Sequence, residues 1–481
     1  MLNFRPILLT VGILLTTLAL GMLVPAAVDG YLGHHDWSVF LASSAVTMFA
    51  GLLLILGNRV SVHRLTVRQA FVLTTLSWVA VVLFAALPFI FSKLHLSVTD
   101  AIFESVSGLS TTGATVIVGL DNAPPGILLW RALLNGLGGV GIVVMALAVL
   151  PVLRIGGMQI FRMESSDKSE KALPKTAQLA SAIVGVYLLL IVLCALGLWF
   201  AGMSLFDSVA HAMAAVSTGG FSTKDASLGF YDNPVYEAIL VVFMISGALP
   251  LTWYLRTAQK GWRGARDSQV STFFSVLGTS IAVVAVWRWL SSDMSFFESL
   301  RHATFNVTSI IVDCGFVSID YGTWGSFAIA AFILFTFFGG CTGSTTGSIK
   351  IFRWQILFRA IKRQLVLMFQ PHRVVDLRYN GQSYSDDVIV SVVTFVSVYL
   401  ITFGFLTVLV SLFNVDLLTS ASAVSAALAG SGPGLGPIVG PSGTYQPLPD
   451  AVKWILSCAM LLGRLEIFTI LVLFNPQFWR D

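Results

Sequence analysis

Four times in succession this chain runs through the same order of segments: a long apolar stretch, a short helix-forming run, a glycine-containing turn and a second long apolar stretch. No other feature restricts its folding so strongly. The short runs cannot cross ~30 Å of hydrocarbon, so each must enter the membrane and return. Irregular backbone at that depth survives only where it is buried in protein or lines a water-filled cavity. Four entries, all in the same chain direction, predict four re-entrant pore helices around one path. The first unit has spans near 67–92 and 125–150, a short run at 99–110 and a turn at 110–115. The second has spans near 178–203 and 234–257, the third near 270–292 and 324–360, and the fourth near 385–413 and 450–474. A Phe-acid-Ser tripeptide recurs at Phe103, Phe206 and Phe297, and Asp416 opens the fourth run. The alternative is that the runs are amphipathic surface helices in ordinary outer loops.

A chain that is 56% hydrophobic and 11% charged departs far from the soluble average of about 25% charged. It is expected to be an all-α integral membrane protein. Two further spans precede the repeats, at 7–28 and 36–57, the first too long and evenly apolar for a secretory signal. The division is therefore 1–66 for the leading helices, 67–176, 177–268 and 269–380 for units one to three, and 381–481 for unit four. Counted from a cytoplasmic N-terminus, every inner loop is basic, which the positive-inside rule requires. Arg59, Arg64 and Arg68 fill the first, Arg154, Arg162, Lys168, Lys171 and Lys175 the second, Arg256, Lys260, Arg263 and Arg266 the third, and the stretch from Lys350 to Arg378 the fourth. Acids such as Glu104, Asp207, Glu298 and Asp450 fall outside, and an electronegative outer face concentrates cations. The net charge of +4 is thus a membrane signature and no sign of nucleic acid. Cys194, Cys314, Cys341 and Cys458 are scattered singly, with neither disulfide nor metal-ligand spacing. His211 and His302 fall on pore-helix runs and are assigned no chemistry.

The turn residues carry the chemistry. Thr111, Thr112 and Gly113 lie between two apolar segments, and a glycine there permits backbone angles that aim successive carbonyls the same way. Stacked carbonyls can replace a cation's hydration shell. One such turn also occurs in ordinary loops; four in register read as a filter. The second span of unit three is interrupted by Gly339, Gly340, Cys341, Thr342, Gly343, Ser344, Thr345, Thr346, Gly347 and Ser348. These are too many glycines and hydroxyls for a helix interior, so the break reads either as a mobile loop facing the cavity or as a tight helix crossing. Arg464 falls inside the span 450–474, where a charge costs roughly 2.5 to 3.5 kcal/mol. It reads as a cavity-facing residue or as one that snorkels to the inner interface.

These residues resemble the Trk/Ktr/HKT superfamily of cation transporters, most closely its bacterial TrkH branch. The resemblance rests on the turn at Thr111–Val116, the turn at Ser217–Thr223, the break beginning at Gly339, the turn at Gly432–Gly436, and Gly463 to Glu466 with Phe478, Trp479 and Arg480. It implies four helix, pore-loop, helix units around a pseudo-fourfold pore, preceded by two helices, hence ten spans. It also implies potassium uptake, a homodimer in the bacterial inner membrane with both termini cytoplasmic, and a cytosolic ring of regulatory subunits of the TrkA type that bind NAD or ATP. Filter positions carried over by the resemblance are Thr111, Thr112, Gly113, Thr218, Gly219, Gly220, Asp313, Cys314, Gly315, Ser431 and Gly432. Potassium would sit at Thr112, Gly113, Gly219, Gly220, Cys314, Gly315, Ser431 and Gly432, with no covalent cofactor. The gate would be residues 339–348 with Arg464. Two positions depart from the family: Asp313, where a hydroxyl residue is usual, and Gly430, where asparagine is usual. Asp313 is expected at or beside the filter, ionised by a bound cation or serving as a hydrogen-bonding brace.

The rival within transport is a symporter moving K+ with H+ or Na+ on the same fold. Alternating access favours inverted repeats, whereas these units all run one way. An enzyme would need convergent catalytic groups at depth, and no such arrangement is present.

Overall fold

The computed structural model describes residues 3–59, 66–148, 172–374, 377–380 and 382–480. Of the basic residues expected in inner loops, Arg64, Arg154, Arg162, Lys168 and Lys171 lie outside these. Among the described residues the regular structure is helical, apart from a hairpin pairing Arg378–Tyr379 with Gln382–Ser383. Six described helices are long and apolar enough to cross a membrane, and two further pairs pass together across a sharp bend. The helix Pro125–Ala148, and Ser326–Phe335 with Ile351–Phe369, complete the ten expected segments. The leading helices Arg5–Leu32 and Trp37–Gly57 form an antiparallel pair, held at depth by the Ser44 hydroxyl, which donates to the Ala19 carbonyl at 2.7 Å.

Three spans are broken, two of which read as continuous in the sequence. In unit two, Pro234–Ala248 and Leu251–Lys260 meet at 89°. Pro250 cannot donate to the helix ladder and forces Leu249 into extended backbone, φ −82° and ψ 155°. In unit three the glycine-rich break separates Ser326–Phe335 from Ile351–Phe369, as the composition predicts. In unit four, Asp450–Arg464 and Phe468–Phe474 meet at 104°, with Glu466 in the left-handed region at φ 57°. Arg464 is therefore the last residue of a helix, at the break within this span. The three breaks touch one another, the Leu251 amide donating to the Gly343 carbonyl and Arg464 to the Thr345 carbonyl.

Two basic residues expected in the fourth inner loop are buried instead. Arg353 is inaccessible to solvent, paired with Glu466 at 2.5 Å and stacked 3.7 Å over the Phe395 ring. The Lys350 ammonium donates to the Thr346 carbonyl at 2.7 Å. Each charge is taken up by an oxygen of the broken segments, which is why it is tolerated at this depth.

Candidate ion pathway

The four pore helices are Val98–Leu109, Leu205–Val216, Phe296–Ile311 and Leu417–Ala429. Each begins with a side-chain cap: Ser97, Ser204, Ser295 and Asp416 accept from the backbone N–H of Asp100, Asp207, Glu298 and Thr419. Each also ends in one motif. The amides of Thr112, Gly219, Cys314 and Ser431 donate back to the carbonyls of Ser107, Ala214, Ser309 and Ala426, at 2.9, 2.7, 2.8 and 3.0 Å. These are the six-to-one bonds of a Schellman ending, which requires a left-handed residue just before the donor. That residue is Thr111 (φ 54°), Thr218 (φ 53°), Asp313 (φ 56°) or Gly430 (φ 83°). Left-handed backbone costs a non-glycine residue roughly 1–2 kcal/mol, so three of the four turns are held under strain, as functional sites often are.

One step beyond each donor comes a second left-handed residue, always glycine: Gly113, Gly220, Gly315 and Gly432, at φ 86°, 65°, 92° and 79°. Their surroundings close a ring. A Cβ on Gly113 would stand 2.6 Å from the Gly219 carbonyl oxygen, and one on Gly432 would stand 2.7 Å from that of Thr112. A Cβ on Gly220 would overlap the Cys314 carbonyl, and one on Gly315 the Ser431 carbonyl. Each of these glycines thus lies against the carbonyl that precedes the glycine of the next unit, in the order one, two, three, four and back to one. Every residue predicted for the filter lies in this ring.

Behind the ring is a set of braces that the sequence reading did not find. Glu104, His211 and Asn306 stand at the same distance ahead of their filter glycines, and Ser422 one residue further back. Each holds the extended segment that leaves its turn. Glu104 accepts from the Val116 amide at 3.0 Å and from the Thr115 hydroxyl, and Asn306 accepts from the Ser318 amide at 3.1 Å. Ser422 accepts from the Leu435 amide and donates to its carbonyl, both at 2.8 Å. His211 Nδ1 faces the Asp207 carbonyl at 2.8 Å, so it carries the hydrogen, and Nε2 accepts from the Ser222 hydroxyl at 2.9 Å. Arg131 joins two units: its Nε meets Glu104 at 2.7 Å, its Nη1 donates to the Ser222 carbonyl at 2.7 Å, and its guanidinium lies 4.0 Å over Phe221. The available signal was a polar residue at one register position of successive apolar pore helices. Glu104 had been counted with the outer acids; it is fully buried.

Beneath the ring lies the glycine-rich loop. Its amides at Cys341, Thr345 and Ser348 donate to Ala248, Gly247 and Ala429 at 2.9, 3.1 and 3.1 Å, and the Gly343 carbonyl accepts from the Leu251 amide at 3.0 Å. The Thr345 hydroxyl faces the Val216 and Gly247 carbonyls, each at 3.0 Å. Val216 and Ala429 are the last residues of the second and fourth pore helices, so the loop is tied directly under the ring. A Cβ on Gly347 would overlap the Ala429 carbonyl. Arg464 Nη1 donates to the Thr345 carbonyl at 2.8 Å, joining the last helix to the middle of the loop. A small cavity is lined by Thr342, Gly343, Thr346, Gly347, Lys350 and Arg464.

Asp313 belongs to both layers. Its backbone forms the third turn, while its buried carboxylate faces the charges of Lys350 and Arg464. Neither carboxylate oxygen has a hydrogen-bond partner at normal geometry, and the Gly347 backbone amide is the group turned toward it.

Residues 37–480 match the family of cation transport proteins designated TrkH. The chain belongs to the TrkH family. It is 42% identical over 483 residues to the Trk system potassium uptake protein TrkI of Halomonas elongata, covering 100% of this chain and 98% of that protein. It is 36% identical over 488 residues to the Trk system potassium uptake protein TrkH of Escherichia coli K12, covering 100% of both. Its fold matches the crystal structure of the potassium transporter TrkH from Vibrio parahaemolyticus with a TM-score of 0.92 at 34% identity, over 100% of both chains. As a TrkH-family member the chain is a multi-pass membrane cation transporter and not an enzyme.

Proposed function

We propose that this protein conducts K+ into the cell through the carbonyl ring at Gly113, Gly220, Gly315 and Gly432, with residues 339–348 and Arg464 as the gate. The observation that carries the reading is the closed order of contacts, in which each filter glycine abuts the carbonyl supplied by the next unit. Oxygens arranged so can substitute for ion hydration without any charged ligand. Potassium is the cargo, and the naming of the relatives as potassium uptake proteins supports that choice of cation. The ties from the loop to the ends of two pore helices support the gating role, since movement of the loop changes what lies under the ring.

In this reading the protein works in the bacterial inner membrane as a homodimer with both termini cytoplasmic, alongside a cytosolic nucleotide-binding ring of the TrkA type. Arg359, Lys362 and Arg373 offer the inner face an exposed or partly exposed basic surface for such a partner. Lys350 and Arg353, being buried, do not contribute to it.

The test is cation flux in liposomes containing the purified protein, with K+ or Na+ gradients and no other ion gradient. Passive K+ flux is expected, with Na+ flux well below it, and Gly113→Ser is expected to narrow the difference. A strict need for a proton or sodium gradient would overturn conduction in favour of symport. An unchanged ion preference in Gly113→Ser would remove that glycine from the filter.

A further inference from the structure

The four filter turns match in backbone but not in what their glycine carbonyls meet. Among the described residues, no hydrogen bond ends on the carbonyls of Gly113, Gly220 or Gly315. The Gly432 carbonyl accepts from the Tyr445 hydroxyl at 2.8 Å. Tyr445 is buried in the segment that follows the fourth turn, with its ring against Phe103 of the first pore helix, centroids 5.4 Å apart. Its own amide donates to the Thr115 carbonyl at 2.9 Å, just beyond the first turn. One residue therefore straps unit four to unit one across the seam where the ring closes, and places an O–H on one filter carbonyl.

We infer that Tyr445 is a specificity-determining residue, which holds the Gly432 carbonyl by its hydroxyl and weakens that carbonyl's pull on a passing cation. A carbonyl oxygen has two lone pairs. With one given to the phenol, the group is fixed in direction, and the phenolic hydrogen places positive potential beside the oxygen that would face the ion. Selectivity for K+ over Na+ is ascribed either to cavity size or to the field strength of the ligands. Both accounts give the same sign here. Releasing the carbonyl lets it swing inward and narrow the ring, and it also removes the offsetting positive potential, and each change favours the smaller ion. Tyr445 thus acts on the same ring as the filter proposed above, and the inference rests on that reading.

The experiment measures K+:Na+ permeability ratios in liposomes for the full-length wild type, Tyr445→Phe and Gly113→Ser. Thermal unfolding is followed alongside. Tyr445→Phe keeps the ring and its packing on Phe103 and removes only the hydroxyl. Its ratio is expected to fall roughly two- to tenfold, the equivalent of one neutral hydrogen bond. A second protein carries 3-fluorotyrosine at position 445, a stronger donor of similar size, and its ratio is expected to rise. An unchanged ratio in Tyr445→Phe, with a lowered one in Gly113→Ser, overturns the role of Tyr445 and leaves the filter standing. Unchanged ratios in both overturn the filter reading itself. If Tyr445→Phe does not fold, the fluorotyrosine protein decides, and an equal or lower ratio overturns the inference.

Discussion

The carbonyl ring and the loop beneath it are adjacent layers built on opposite plans. The ring is fourfold in its backbone plan: a six-to-one bond, a left-handed residue before its donor, and a glycine against the next unit's carbonyl. The loop belongs to unit three alone, and its ties go to units two and four through Gly247, Ala248, Val216, Ala429 and Arg464. Repetition suits a task in which several equivalent ligands surround one ion, and backbone can supply it whatever the side chains are. The gating role proposed for the loop instead requires a change of state, and a single segment held by a few specific bonds can move without dismantling the ring. The charges follow this division. Among the described residues, Lys350, Arg353, Arg464 and Glu466 gather at the loop, while the ring is made of backbone carbonyls, with the buried Glu104–Arg131 pair standing behind it.

The largest effect is expected from crowding the ring. Gly220→Ala adds a left-handed strain of roughly 1–2 kcal/mol to a Cβ overlapping the Cys314 carbonyl, and K+ flux is expected to be lost. Gly119→Ala is the matched control, since Gly119 has φ 81° and open space around its would-be Cβ; transport is expected to persist. Equal loss in both would mean that strain, not closure of the ring, is what matters.

A smaller effect, of opposite sign, is expected beneath the ring. Arg464→Ala removes the bond to Thr345 and a buried positive charge, which opposes the passage of a cation nearby. Flux is expected to rise tenfold or more with ion preference nearly unchanged. Arg464→Lys keeps the charge and loses the planar guanidinium, so its flux is expected to lie between the two. A change in preference as large as the change in flux would break the division between the layers.

The smallest effect is expected where the layers meet. Asp313→Asn leaves Lys350 and Arg464 less compensated, and K+ flux is expected to fall roughly two- to threefold, a coupling of under about 1 kcal/mol. The same substitution made in Arg464→Ala should have a different effect, because one of the charges facing it is gone. Identical effects in the two backgrounds, measured as flux ratios in liposomes, would show that Asp313 does not act through Arg464.

Much of this architecture was legible from residue order. The apolar lengths marked the membrane segments and the turn at Gly113, while the resemblance supplied Gly220, Gly315 and Gly432, which meet Gly113 in the ring. The glycine content of 339–348 marked the broken span correctly. The bend at Pro250 was available in principle, since proline cannot continue the ladder, but the apolar run on either side masked it. Arg464 was read as a mid-span charge because hydropathy does not register a helix ending inside the membrane. The pairing of Arg353 with Glu466 joins residues far apart in the chain, and positive-inside counting placed Arg353 in an inner loop.

The sequence by itself determined the number of units, their direction and the glycines that can turn left-handed without strain, whereas Thr111, Thr218 and Asp313 are held left-handed by the turns they close. Those properties arise from local sterics and from the cost of unsatisfied backbone in hydrocarbon, both of which a chain carries in its own order. Only the tertiary structure decided which carbonyl faces which glycine, that Arg131 spans two units, that Tyr445 reaches Gly432, and that Asp313 looks down at Lys350 and Arg464. Each of these is a contact between distant segments, set by how four similar units close around an axis, and no local preference distinguishes one such closure from another.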